Sequence, residues 1–294
     1  MLPCQENPCS AKVFLQILSL EHFHFESAPI TKRNFVMKKN LWVCVLTMLV
    51  SCTFAFAPNG FTAPAGEYAW QGTINSTIPV SVWFAIKDDL VVGELTYTKT
   101  GSNKPIRLIG KVNPDDGRLD LRERLPDGTV TGIIDGSIKK DTFEGTWTGP
   151  GKIKESGNNY ERIDGKIFPV ILKKSDDASK KYTWATGNAV GKYAYSYGKH
   201  QYRGMATIHT ADDTSINVEI FSVTSAPSFN QAQLDAVDCP REGNAYLCDM
   251  EENCAVTVRI FDDFISVDQV KDRYCTGYFG MNAHVTGTYI KLAQ

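Results

Sequence analysis

A two-residue hydrophobic period, recurring from about residue 66 onward, constrains this chain more than any other feature. Val80, Val82, Phe84 and Ile86 alternate with Ser81, Trp83 and Ala85; after Lys87-Asp88-Asp89 the pattern resumes with Val91, Gly93, Leu95 and Tyr97. Successive side chains of a strand point to opposite faces, so this spacing predicts strands with one buried face. Ile106 to Val112, Leu119 with Leu121, Ile134 with Ile138, Phe143 to Trp147 and Phe168 to Leu172 continue the series, and Tyr68 to Ile74 opens it. Asn113-Pro114-Asp115-Asp116-Gly117 and Pro126-Asp127-Gly128 supply turns, since Pro presets φ and Gly accepts positive φ. That makes about eight strands with no amphipathic helix between them. Antiparallel strands on short turns remove their exposed edges by closing into a barrel. The expectation is an all-β protein of two antiparallel modules. The first, residues 58–174, is an up-and-down barrel of about eight strands, with a two-sheet sandwich as the alternative. Its one long connection, Lys152 to Lys166, is polar and reads as a solvated insertion or a binding lid.

Residues 175–181 are polar, lack a hydrophobic period and read as a linker. Residues 182–294 form the second module, a disulfide-clipped barrel or sandwich. Its strand candidates are Val190–Tyr197, Arg203–Thr210, Ser215–Val223, Ala255–Phe261, Phe264–Val270 and His284–Leu292, with one short helix expected over Phe229–Val237. The modules echo each other: Gly66-Glu67-Tyr68 opens one and Gly191-Lys192-Tyr193 the other, and each ends on Gly-Thr-aromatic, Gly145-Thr146-Trp147 and Gly287-Thr288-Tyr289.

Ahead of the barrels, Met37 opens a stretch with the layout of a bacterial secretory signal. Lys38 and Lys39 are its basic region, Leu41–Val50 its apolar region, and small residues follow. We read residues 37–57 as a signal peptide and residues 1–36 as an extension ahead of the true initiator Met37. Ala55-Phe56-Ala57 offers a cleavage site, while Leu49-Val50-Ser51-Cys52 resembles a lipobox that would place a lipid on Cys52. Residues 58–294 keep 26 basic and 30 acidic side chains, a net charge of −4. This balance argues against a nucleic-acid partner, and 43% hydrophobic content argues against disorder. The expected location is periplasmic or extracellular, with a membrane reached only through a lipid anchor to the outer membrane.

Export makes the cysteines of the last third, Cys239, Cys248, Cys254 and Cys275, disulfide partners. Pairing Phe261 with Phe264 across the Asp262-Asp263 turn puts Cys254 opposite Lys271, with Cys275 four residues on. This favours Cys254–Cys275 across the open end of a hairpin and Cys239–Cys248 around a local loop. Zinc is the competing use, but the spacing C-x8-C-x5-C-x20-C lacks the close ligand pairs of structural sites.

Two resemblances follow from these residues. The repeated Gly93-x-Leu95-x-Tyr97 and Gly145-x-Trp147 strands resemble secreted meander barrels of avidin or lipocalin type, over about 110 residues and in architecture only. Cys254, Cys275, Gly277, Gly280, Asn282, Val285, Gly287 and Tyr289 resemble a β-module of bacterial secreted proteins grouped with LprI-like lysozyme inhibitors, over about 40 residues. That group's cysteine-containing helical module and the Ser-Gly-x-x-Tyr signature of other bacterial lysozyme inhibitors are both missing here. The resemblance implies a protein partner, a cell-wall hydrolase.

For chemistry, the sequence offers no GxSxG elbow and no HExxH metal motif, and the acid pairs Asp115-Asp116, Asp212-Asp213 and Asp262-Asp263 sit in turns. We expect no catalysis, no cofactor and no metal. Binding is the better reading. Tyr193, Tyr195 and Tyr197 share a strand face, with His200, Tyr202 and Arg203 just beyond, and Tyr combines large contact area with a polar tip. That face is either core or an aromatic platform for a glycan or protein partner. Three functions follow: inhibition of a lysozyme-like hydrolase through an inserted loop, Lys199–Arg203 or Lys152–Lys166; carriage of a small ligand or glycan by a barrel; or a structural role as an envelope lipoprotein.

Overall fold

The computed structural model describes residues 63–99, 104–176, 180–250, 253–275 and 277–293. The signal peptide, the extension before it and the candidate lipid site Cys52 lie outside the described residues, as does part of the linker. Strands β1 (Gly66–Ile74), β2 (Ile78–Lys87), β3 (Leu90–Tyr97), β4 (Ile106–Val112), β5 (Leu119–Arg124), β6 (Val130–Lys139) and β7 (Thr142–Thr148) run as a meander. A separate hairpin, β8 (Lys152–Ser156) with β9 (Asn159–Ile163), follows, and β10 (Ile167–Lys174) closes the first barrel between β7 and β1. The second barrel is an unbroken meander of β11 (Gly191–Ser196), β12 (Arg203–Ala211), β13 (Ser215–Val223), β14 (Gln231–Glu242), β15 (Ala245–Met250), β16 (Cys254–Ile260), β17 (Phe264–Gln269) and β18 (Gly287–Lys291), closed by β18 on β11. Both modules are therefore closed eight-stranded antiparallel barrels, not sandwiches.

One expectation needs correction, and two further elements carry no clear hydrophobic period. The helix expected over Phe229–Val237 is the start of β14; Ala232 and Leu234 face the core while Gln231, Gln233 and Asp235 face out, a strand's period. β15, where Tyr246, Cys248 and Met250 alternate inward, went unseen because its run is short and mixed. Residues 152–163 are a paired hairpin whose two faces are both largely exposed, so it carries no hydrophobic alternation to read.

The first barrel is filled. Trp70, Phe84 and Phe143 are buried on its axis, within tilted and edge-on contact of one another. The inward glycines do not open a chamber. A Cβ at Gly93 would lie 2.0 Å from the Trp83 carbonyl oxygen, so this glycine permits a close backbone approach beside Phe84. The Gly-x-Tyr echo has a shared cause. Gly66, Gly191 and Gly287 take φ of 154°, 148° and 149°. In each case the tyrosine two residues on folds back, so that Tyr68, Tyr193 and Tyr289 donate to the carbonyls of Pro64, Ala189 and Val285, each at 2.6 Å. One local device thus anchors three strand starts.

The disulfides are as expected. Cys239–Cys248 bridges β14 and β15, and Cys254–Cys275 ties β16 to the connection that follows β17. In the β16–β17 hairpin, Ile260 pairs with Ile265 and Val256 with Gln269, the register that sets Phe261 opposite Phe264.

The two barrels share an interface. Val92 and Ile109 of the first pack with Phe264 and Ile290 of the second, joined by Tyr182, Trp184 and Phe261. Beside this patch Arg259 grips Asp89 with both terminal nitrogens, at 2.6 and 3.1 Å, and Arg107 pairs with Asp263 at 2.7 Å. Burial works to raise the Asp89 carboxyl, but Arg259 and Lys111 outweigh it and hold the acid below the usual carboxylate range. Tyr182 and Trp184, at the start of the second module, pack in this seam. Among the described residues no helix is long and apolar enough to cross a membrane.

Candidate functional site

A cleft of about 550 Å³ opens where the end of β5 meets the mouth of the second barrel. Strand β5 makes it through alternation. Leu119, Leu121 and Glu123 face the first barrel's interior, so Asp120, Arg122 and Arg124 face outward. An outward arginine on a strand is ordinarily solvated, but the second barrel covers this one, and Arg124 is only 4% exposed. Its terminal nitrogens donate to the Gly128 carbonyl (3.3 Å) and to Thr288 Oγ1 (3.0 Å), while Nε has no partner. The guanidinium lies 5.9 Å from the centre of the Tyr195 ring. Burial first, and then the neighbouring Arg122 charge, push its pKa down to about 10. Arg122 is better provided for: it pairs with Asp120 and donates from Nε to Tyr197 Oη at 3.0 Å.

The opposite wall comes from the tyrosine strand and the loops beside it. Tyr195 and Tyr197 project from β11 and its end, set edge-to-face at 6.3 Å. Tyr202 stacks on His284 at 5.9 Å and donates to the Asn282 carbonyl at 2.9 Å. Ile133 from β6 and Ile153 from β8 give the cleft its apolar side. The β8–β9 hairpin reaches the second barrel: Glu155 accepts from His200 Nε2 at 3.0 Å, Tyr160 meets the His200 and Phe229 rings edge-on at 5.4 and 5.5 Å, and Gln201 donates to the Gly151 carbonyl at 3.2 Å.

Of the six residues singled out in the sequence, Tyr195, Tyr197 and Tyr202 line this cleft. His200 stands behind its edge, clasped by the hairpin. Tyr193 does not belong to the site; it is 0% exposed inside the second barrel, its hydroxyl spent on Ala189. The strand's twist and the barrel's depth explain the split, since Tyr193 lies one residue pair further in than Tyr195. Arg203 starts β12 with its side chain exposed and does not line the cleft. Arg122 and Arg124 went unnoticed in the sequence. The one available signal was a strand that ends in Arg-x-Arg where its polar face should simply be wet.

A second buried charge sits on the other side of β5. Glu123 is buried in the first barrel and accepts from Tyr97 Oη (2.7 Å), Trp147 Nε1 (2.9 Å) and Thr131 Oγ1 (3.1 Å). Burial raises its carboxyl above the usual range despite these three donors. Among the described residues no cluster of three or more His, Cys, Asp or Glu side chains is placed to hold a metal ion. Comparison with protein families, curated proteins and solved structures returned no match to this chain.

Proposed function

We propose that this is an exported, non-catalytic binding protein, and that its ligand, a small molecule or glycan, sits in the cleft between the barrels and not inside either one. The observation that carries this reading is the cleft itself: a cavity of small-ligand size walled by tyrosine rings, with a buried arginine at its base. Two disulfides suit an oxidising, exported setting. Tyr197 is held by Arg122 and Tyr202 by Asn282, so the aromatic wall is ordered before a ligand arrives, which lowers the entropic cost of binding. Ile133→Trp would fill the cleft from the β6 side without touching either barrel core. Ligand-observed NMR on the full chain against a panel of soluble glycans and small acids should show saturable binding that this variant loses. Binding that survives the variant unchanged, or none across the panel at millimolar concentration, would refute the proposal.

A second reading keeps the hydrolase inhibitor. Its support is the disulfide-clipped connection after β17, where Tyr274 is 61% and Met281 78% exposed. Such aromatic and Met side chains favour protein contacts. The Lys199–Arg203 turn and the β8–β9 hairpin suit the inserted-loop role less well, because they are engaged with each other. A stoichiometric complex with a c-type lysozyme, with lytic activity lost and then restored by Tyr274→Ala with Met281→Ala, would favour this reading over the cleft.

A further inference from the structure

The charges around the cleft do not cancel, and the imbalance identifies the ligand class. Three guanidiniums border it. Arg122 is paired with Asp120, and Arg162 with Asp164 at 2.9 Å. Arg124, the most buried of the three, has no carboxylate within ion-pair distance among the described residues, and its Nε–H is unused. Buried cations in folded proteins are ordinarily paired, so an unpaired one at the base of a cavity marks where an anion belongs. We infer that the cleft binds an acidic saccharide, a sugar ring bearing a single carboxylate, with the carboxylate on Arg124 and the ring against Tyr195 and Tyr197. This rests on the reading of the cleft as the binding site.

The count of charges selects the carboxylate. One uncompensated positive charge calls for a monoanion. A phosphate monoester brings nearly two negative charges, one more than Arg124 balances. A guanidinium is also a planar fork that matches a carboxylate edge-on. The tyrosine walls select the ring. Tyr195, only 5% exposed, and Tyr197 stand at a steep angle to each other, 79° between planes, so they form no parallel slot for a planar aromatic ligand. A saccharide ring presents an apolar face to the tyrosine wall and hydroxyls to the Tyr197 and Thr288 oxygens already gathered at the arginines.

The experiment compares the methyl glycoside of galacturonate, which carries one carboxylate, with its methyl ester, by titration calorimetry on the full chain at fixed salt. Acid and ester differ in charge and hardly in shape. The acid should bind at least tenfold more tightly than the ester. Arg124→Met should abolish that ratio, and Arg124→Lys, which keeps charge but loses the fork, should fall between. The acid-to-ester ratio on the wild-type protein needs no variant, so it stands even if Arg124→Met does not fold. Acid and ester binding alike, with both lost in Ile133→Trp, would overturn the carboxylate and leave the cleft as a neutral-glycan site. Galactose 6-phosphate binding more tightly than galacturonate would overturn the monoanion argument. Failure of both acid and ester to bind would overturn the saccharide class, while the broader panel decides separately whether the cleft binds anything.

Discussion

Phe264→Ala tests whether the two barrels work as one body. Phe264 is fully buried, stacks on Phe261 at 4.4 Å, and meets Val92 and Ile109 of the other barrel. A buried aromatic side chain removes roughly 200 Å² from water. At about 25 cal/mol per Å² that is ~5 kcal/mol for the whole group. Alanine retains some of this burial, and the cavity left behind adds a cost, which brings the expectation to about 4 kcal/mol, inside the range for such truncations. Urea unfolding followed by tryptophan fluorescence checks it, since Trp70 reports the first barrel's core and Trp184 the seam. The wild-type chain should unfold in one transition; the variant should lose about 4 kcal/mol and separate the two barrels' midpoints. Because the cleft has one wall on each barrel, ligand affinity should fall in the same variant although Phe264 does not line it. A loss below about 1 kcal/mol, with one unchanged transition, would refute the argument that the seam is a shared core.

Three further predictions concern the frame around the site. Replacing both Cys254 and Cys275 with Ser opens a loop of 21 residues' separation, and the chain-entropy relation puts the loss at about 3.4 kcal/mol, readable as a lower denaturant midpoint against the wild type. Glu123→Gln should change the pH dependence of stability. A carboxyl raised by folding contributes stability that is present below its unfolded pKa and lost as pH rises through the folded one, so the variant should gain on the wild type from about pH 4 upward; a difference that is flat with pH, or of opposite slope, contradicts the assigned burial. Gly93→Ala puts a methyl carbon 2.0 Å from a backbone oxygen that cannot rotate away, and should cost about 2 kcal/mol or more in thermal unfolding; a neutral result would mean these glycines leave free space.

Much of this protein is decided locally. Alternation such as Val80-Val82-Phe84-Ile86 dictates strands, Pro126-Asp127-Gly128 dictates a turn, and two runs of such strands on short turns leave few ways to hide their edges but closure. The Phe261–Phe264 turn sets the register that brings Cys254 near Cys275, so one disulfide was legible before any tertiary contact. The Gly-x-Tyr starts were visible as an echo, though not that each hydroxyl folds back on its own chain. The β8–β9 hairpin was not legible, because a strand pair wet on both faces carries no hydrophobic signature. The cleft was legible only by half. Tyr195, Tyr197 and Tyr202 announced themselves by type and spacing, but Tyr193, identical by those criteria, does not reach the cleft, and Tyr195 is itself 5% exposed. Arg124 shows the limit most plainly. On its strand it occupies an outward position, where an arginine ordinarily costs nothing and means nothing. Only the docking of a second barrel, through residues far away in sequence, takes that position out of water and leaves a charge in want of a partner. Periodicity decides which face of a strand points outward; what lies over that face is settled by tertiary contact alone.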